Sequence, residues 1–358
     1  MKNRRDRKRR REQKQRRQNA FLFVMLGIIL GISLYLGEGN RPQPEEIAQP
    51  ATEPALQESP KMRPAEPTEA AEPSTLVAEE DAQEEVWTVN HDARAAVRSR
   101  HVIVYHVESD SVVYEKASET PAYPASLTKI MTHMVAMDLM PEDGLEQTVT
   151  MSDAIYYRMI EEDAALSGFL PGETVRMEDL VYANILASGG DAAEQMALEL
   201  TETSDAFVRL MNEKAQSLGM EATRYANVTG LHDPDHLSSA KDTLTLVKAA
   251  MENPFFRELI TEQSYRTRPT ERHPEGLELF ATVQDGFDTP SRSFRLLGGK
   301  TGFTEQAGLC LFTITEKDDA TFYLITLKAP YSLNSLQDVG DHISLMNGLN
   351  RDVKGNEN

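Results

Sequence analysis

From residue 101 onward the apolar positions follow two different periods. His101–Val107 (HVIVYHV) and Ser111–Lys116 (SVVYEK) are dense in β-branched and aromatic residues. The polar Glu108-Ser109-Asp110 between them predicts a β-hairpin. A helix is predicted from Ser126 to about Met140, where Pro141-Glu142-Asp143-Gly144 stops it. Met177–Ala187, Ala192–Leu200 and Ser204–Leu218 carry apolar residues at three- and four-residue intervals, which predicts helices. Strand-like runs return at Leu296–Thr301, Leu309–Thr315 and Thr321–Lys328, with Glu316-Lys317-Asp318-Asp319 as a turn and Ser335–Leu349 as a closing helix. Strands at both ends of a helical insert predict an α+β domain, one antiparallel sheet covered by helices.

The first 86 residues have a different texture. Residues 1–17 hold eleven Lys or Arg against Asp6 and Glu12, a net of +9 inside a chain of net charge −20. Phe21–Leu36 (FLFVMLGIILGISLYL) is apolar apart from Ser33 and the Tyr35 hydroxyl. With Ala20 and Gly37 it makes roughly 27 Å of helix, enough to span a bilayer core. The basic side predicts an N-terminus in the cytoplasm and the rest of the chain outside it. No A-x-A pattern follows the apolar run, so an uncleaved single-pass anchor at 20–37 is expected rather than a signal peptide. Residues 38–86 are rich in Pro, Glu and Ala and poor in large apolar side chains, a composition expected to be a disordered linker. The folded domain is expected over 87–350, between a basic arm at 1–19 and a polar tail at 351–358. Nucleic-acid binding by the arm is not expected beside a membrane span; anionic lipid headgroups suit it better. The single cysteine, Cys310, excludes an intramolecular disulfide and reads as a small core residue.

Candidate chemistry enters at Tyr123-Pro124-Ala125-Ser126-Leu127-Thr128-Lys129. On a helix the i, i+3 spacing sets the Lys129 amine beside the Ser126 hydroxyl. A serine needs such a base, and a lysine serves only when its pKa falls. Alone, S-x-x-K recurs by chance. Here it is followed at 62 residues by Ser188-Gly189-Gly190 and at 174 residues by Lys300-Thr301-Gly302. That order matches the three motifs of penicillin-recognising serine enzymes. With Tyr123–Thr132, Gly219–Thr229, Gly230-Leu231-His232-Asp233 and Gly299–Gly308, the stretch from about 92 to 350 resembles the D-alanyl-D-alanine carboxypeptidases. These are low-molecular-mass penicillin-binding proteins of serine peptidase family S11.

The resemblance implies a β-lactamase/DD-peptidase-like fold, an antiparallel sheet flanked by helices with a mainly helical subdomain. It implies a hydrolase that removes the terminal D-alanine from peptidoglycan stem peptides ending in D-Ala-D-Ala, through an acyl-enzyme on Ser126. Lys129 is then the base, Ser188 a proton relay, and Lys300 a charge that lowers the Lys129 pKa and attracts the substrate carboxylate. Thr301 offers its hydroxyl to that carboxylate, Gly302 admits a close backbone approach, and the Ser126 and Phe303 N–H groups form the oxyanion hole. β-Lactams would acylate Ser126 by the same route, and neither metal nor organic cofactor is called for. The implied alternatives are a DD-endopeptidase acting on crosslinks and a catalytically impaired protein that binds wall peptides.

The chain departs from the family pattern at Gly190, where Asn is usual, and between Lys328 and Arg351, where no Arg or Lys occurs. Gln337 falls roughly where a carboxylate-binding arginine is expected. The family's further β-rich domain and C-terminal amphipathic helix are not expected after residue 350, the N-terminal anchor taking their place. Three other signals read blandly: His232–His236 as a turn rather than a metal cluster, His133 as packing, and Glu161-Glu162-Asp163 as a solvated turn rather than a deacylating carboxylate.

Overall fold

The computed structural model describes residues 85–287, 292–332 and 336–353, all in the second of the chain's two units, Ala78–Asn358. Among them no helix is long and apolar enough to cross a membrane. The basic arm and the apolar run at 20–37 lie outside the described residues, as does the predicted linker up to residue 84.

Five strands form the main sheet. These are β2 (His101–His106), β3 (Ser111–Lys116), β8 (Arg295–Thr304), β9 (Gly308–Lys317) and β10 (Ala320–Ala329), in the order β3-β2-β10-β9-β8 and antiparallel throughout. The predicted hairpin is β2–β3. The turn placed at Glu316–Asp319 tightens to Asp318-Asp319, both in the left-handed region, as β9 runs on to Lys317. The near-continuous apolar reading of β2, β9 and β10 reflects burial on both faces, whereas edge strand β3 mixes exposed and half-buried positions with none fully buried.

One face is covered by α1 (His91–Ala96) and α9 (Gln337–Asn347), the latter being the predicted closing helix. His342 on α9 joins Thr313 of β9 at 2.8 Å and Thr326 of β10 at 2.9 Å, using both ring nitrogens. The other face carries α7 (Ala240–Ala250) and α8 (Pro254–Thr261). Beyond them pack α2 (Thr128–Leu139), α4 (Met177–Ile185), α5 (Gly190–Thr201) and α6 (Ser204–Ser217), which correspond to the predicted helices. α2 is buried along both its first turns, from Thr128 to His133, because helices and sheet enclose it. Short pieces absent from the sequence reading complete the subdomain: β4 (Thr148–Thr150) with β5 (Thr174–Arg176), α3 (Asp153–Glu161), and β6 (Ser264–Arg266) with β7 (Glu278–Phe280).

The ends of the domain pair with each other. β1 (Glu85–Val89) runs antiparallel to β11 (Leu349–Val353), with Trp87 opposite Arg351. Trp87 is buried edge-on against Phe322 at 5.0 Å between centroids, so the first strand is fixed to the main sheet. The closing strand after α9 has no counterpart in the apolar pattern, because its partner lies at the other end of the chain.

Candidate active site

The cleft lies where edge strand β8 meets the start of α2. Ser126 sits in a 3-10 turn, Ala125–Leu127, and the α-helix begins at Thr128 rather than at Ser126 as the spacing suggested. The residue before it, Ala125, has φ of 49° and is fully enclosed. A non-glycine residue held there is strained, and the strain persists only where neighbours over-determine it. Two glycines do so. A Cβ on Gly230, whose φ is 82°, would lie 2.0 Å from the Ala125 carbonyl oxygen; one on Gly302 would lie 3.0 Å from the Ser126 nitrogen. Glycine at these positions lets a loop and the edge strand close on the turn that presents Ser126.

Lys129 Nζ donates to Ser126 Oγ at 3.1 Å and to the Thr229 carbonyl at 2.7 Å. Ser126 is half-buried and Lys129 is 2% exposed, so the hydroxyl is reachable while the amine is enclosed. Burial lowers the Lys129 pKa to about 7, partly opposed by the negative charges of Asp191 and Glu194. Burial is the first cause, which the sequence reading did not name when it gave that role to the Lys300 charge. Lys300 is itself 1% exposed and pushed well below the ordinary lysine range, by burial first and by the Lys129 charge second. Burial disfavours both ammonium groups, and their like charges oppose each other. The one hydrogen bond of Lys300 among the described residues goes to the Thr301 carbonyl, at 3.1 Å.

The Thr229 carbonyl is aimed by Asn227, whose Oδ1 accepts from the N–H of Thr229 at 3.2 Å and of Gly230 at 2.8 Å. His236 fixes the same loop to α2. Its Nδ1 accepts from the Ala226 N–H at 3.1 Å, so Nε2 carries the proton and donates to Thr128 Oγ1 at 2.7 Å. His232 instead packs edge-on against Tyr123 at 4.7 Å. The His232–His236 segment is therefore a clamp on the turn that carries Ser126, each ring with its own structural partner.

Ser188 occupies the turn between α4 and α5, with φ of 58°, and is buried. Among the described residues no hydrogen bond joins it to Lys129. Its wall is tied to α2 by Asn184, whose Nδ2 donates to the Lys129 carbonyl at 3.1 Å. Asp191, the residue after Gly190, accepts from Ser167 N–H at 2.8 Å and Ser167 Oγ at 2.5 Å, and so holds the loop behind Ser188. Gly190 donates its N–H to Ala165 O at 2.7 Å. A Cβ there would meet Met159 Sδ at 3.1 Å and Ala164 Cβ at 3.2 Å, so α3 and its following loop fill the space a side chain would enter.

On the sheet side, Thr301 Oγ1 lies 2.6 Å from Thr282 Oγ1, a residue the sequence reading did not consider. Phe303 is 43% exposed and packs on Tyr331 with centroids 4.5 Å apart. Gln337 is committed to its own helix, donating Nε2–H to Asp341 Oδ1 at 2.9 Å. His133 packs 5.0 Å from the Phe256 ring, and burial lowers its pKa to about 3. Glu161, Glu162 and Asp163 are exposed at the end of α3. Burial pushes the Cys310 thiol up to about 12.

Comparison with known proteins places this geometry. Residues 88–331 match the peptidase S11 family model, described as D-alanyl-D-alanine carboxypeptidase. The chain is 30% identical over 235 residues to D-alanyl-D-alanine carboxypeptidase DacF of Bacillus subtilis, covering 63% of this chain and 55% of that protein. It is 29% identical over 234 residues to a D-alanyl-D-alanine endopeptidase of Pseudomonas aeruginosa, covering 64% and 71%. The first of these relatives is thus spanned over little more than half its length. Among solved structures, the Streptomyces K15 DD-transpeptidase superposes with a TM-score of 0.61 at 22% identity, covering 70% of this chain and 96% of that one. These are DD-peptidases of the β-lactamase-like fold, and the antiparallel sheet with flanking helices described above is the same architecture.

Proposed function

The chain belongs to the D-alanyl-D-alanine carboxypeptidase family, peptidase S11, and from that premise we propose a membrane-anchored serine carboxypeptidase of the cell wall. Its substrate is a peptidoglycan stem peptide ending in D-Ala-D-Ala. The observation that carries this reading is the Ser126–Lys129 contact, with an enclosed amine whose pKa is about 7. At neutral pH a large fraction of such an amine is free base. It keeps one N–H on the Thr229 carbonyl while its lone pair takes the Ser126 proton, which turns a weak nucleophile into an alkoxide-like one. The oxygen attacks the penultimate D-alanine carbonyl, and the Ser126 and Phe303 N–H groups receive the developing oxyanion. The amide bond breaks and D-alanine leaves with a proton passed from Lys129 by way of Ser188. Water then hydrolyses the ester.

Burial disfavours the ammonium form of Lys300, and an arriving carboxylate offsets that cost and favours the charged form. With Gln337 bound to Asp341, the carboxylate is left to Lys300 and Thr301. A β-lactam follows the same course as far as the acyl-enzyme on Ser126. The apolar run at 20–37 anchors the chain, the basic arm lies at the cytoplasmic headgroups, and the catalytic domain stands outside the membrane.

Incubation of the full-length chain with a stem pentapeptide and, separately, with a crosslinked stem-peptide dimer tests the assignment. Release of free D-alanine from the pentapeptide, faster than cleavage of the dimer, is the expected outcome. Cleavage of the dimer alone identifies an endopeptidase, the activity named for the Pseudomonas relative. Binding of either peptide without hydrolysis identifies the impaired binding protein.

A further inference from the structure

Thr282 is the one residue whose described hydrogen bonds reach both walls of the cleft. It opens the 3-10 turn Thr282–Gln284, which is fastened by Ala281 N–H to the Gln263 carbonyl at 2.9 Å. Its own N–H donates to the Leu186 carbonyl at 3.3 Å, two residues before Ser188, and so satisfies an otherwise orphaned acceptor at the end of α4. Its hydroxyl lies 2.6 Å from that of Thr301, on the opposite wall. Among the described residues neither hydroxyl has another side-chain partner.

Two hydroxyls at this separation share one proton, so one must donate and the other accept. Were Thr301 the donor, its lone pairs would face an incoming anion. With Thr282 as the donor, the Thr301 hydrogen is free, and accepting one hydrogen bond strengthens the one it donates. We propose that Thr282 is a positioning residue for substrate binding: it donates to Thr301 Oγ1 and turns the Thr301 O–H toward the terminal carboxylate of the peptide. The proposal rests on the reading that Thr301 faces that carboxylate. Because the Thr282 N–H stays on Leu186 in any side-chain variant, the hydroxyl can be removed while the turn keeps its tie to the helical wall.

Steady-state release of the last residue from a stem pentapeptide, with a free or an amidated C-terminus, separates the possibilities in the full-length chain. Thr282→Val is expected to raise KM for the free acid about tenfold or more, as for a lost hydrogen bond serving a charged group, with kcat nearly unchanged. Thr282→Ser is expected to restore KM, and the amidated peptide to be indifferent to both. Thr282→Ala serves as the second variant if Thr282→Val does not fold, and thermal melting establishes folding for each. A raised KM in Thr301→Val with none in Thr282→Val or Thr282→Ala overturns the proposal but leaves the carboxylate reading standing. An unchanged KM in Thr301→Val overturns the carboxylate reading, and the role of Thr282 with it. Equal effects on the amidated peptide reduce Thr282 to a structural part and likewise overturn the proposal.

Discussion

Ser126→Ala and Lys129→Met are each expected to slow acyl-enzyme formation by at least about a thousandfold, and the double variant by little more than the worse of the two. Groups that act as one unit fail together, and the 3.1 Å contact makes these two a unit. The wild-type pH profile carries the same argument. Lys129 must be neutral to accept the Ser126 proton, and its pKa is about 7. As pH falls below that value the amine protonates, so kcat/KM should fall tenfold per unit, and above it the rate should level. Stopped-flow acylation across pH 5–9 checks both limbs. Stability also declines as pH falls, but over a higher range. The unfolded chain protonates this amine below about 10.4 and the folded one only below about 7. The group's contribution to stability is complete above the unfolded value and is lost as pH falls toward the folded one. Lys129→Met removes that loss, although it leaves the Thr229 carbonyl without its partner. Its melting temperature at pH 7 should be no lower than that of the wild type, whereas a structural lysine would give a destabilised variant.

Mild acid is expected to destabilise the domain steeply, before ordinary carboxylates titrate. Burial lowers the folded pKa of His133 and His342 to about 3 and of His236 to about 4, against about 6.5 in an unfolded chain. Between those values the unfolded chain binds a proton at each ring and the folded chain does not, so stability is present above about 6.5 and is lost as pH falls. Each histidine contributes about 1.4 kcal/mol per pH unit, and three together about 4 kcal/mol per unit near pH 5. Total stabilities are commonly about 5–15 kcal/mol, so this slope is large. Asp179, Asp191 and Asp338 act in the opposite sense, since burial raises their folded pKa values and they take protons first in the folded state. They flatten the loss at its acid end. Urea unfolding at pH 7, 6 and 5 should show the midpoint falling, and His133→Leu should remove about a third of the histidine slope. Both ring nitrogens of His133 lack hydrogen-bond partners among the described residues, so that variant sacrifices none of the bonds described there.

The sequence pattern revealed elements whose signal is local. β2, β3 and the long helices carry their own period, and the three-residue separation of Ser126 and Lys129 pointed to their contact, although Ser126 sits in a 3-10 turn ahead of the α-helix. β1 and β11 could not be read this way, because what makes them strands is each other, joined across the whole domain. The cause of the low Lys129 pKa was also hidden: spacing shows a neighbour but not an enclosure, and here enclosure by the helical layer and the Thr229 loop dominates. The left-handed Ala125 carries no signal in its own identity; Gly230 and Gly302, which hold it, are visible only as glycines until the backbones are seen to touch. Thr282 lacked any motif, and only the closure of the cleft sets it beside Thr301. The chemistry at Gly190 was legible as an absent side chain, but its physical content, a space filled by Met159 and Ala164, was not.

The proposed mechanism requires that Ser126 become covalently acylated. Intact-mass spectrometry of the full-length chain after brief exposure to benzylpenicillin, followed by peptide mapping, reads this out. One acyl adduct per chain is expected, mapped to Ser126, forming more slowly below pH 7 and lost in Ser126→Ala. A folded wild-type chain that stays unmodified, or one whose adduct maps to another residue, would contradict that mechanism.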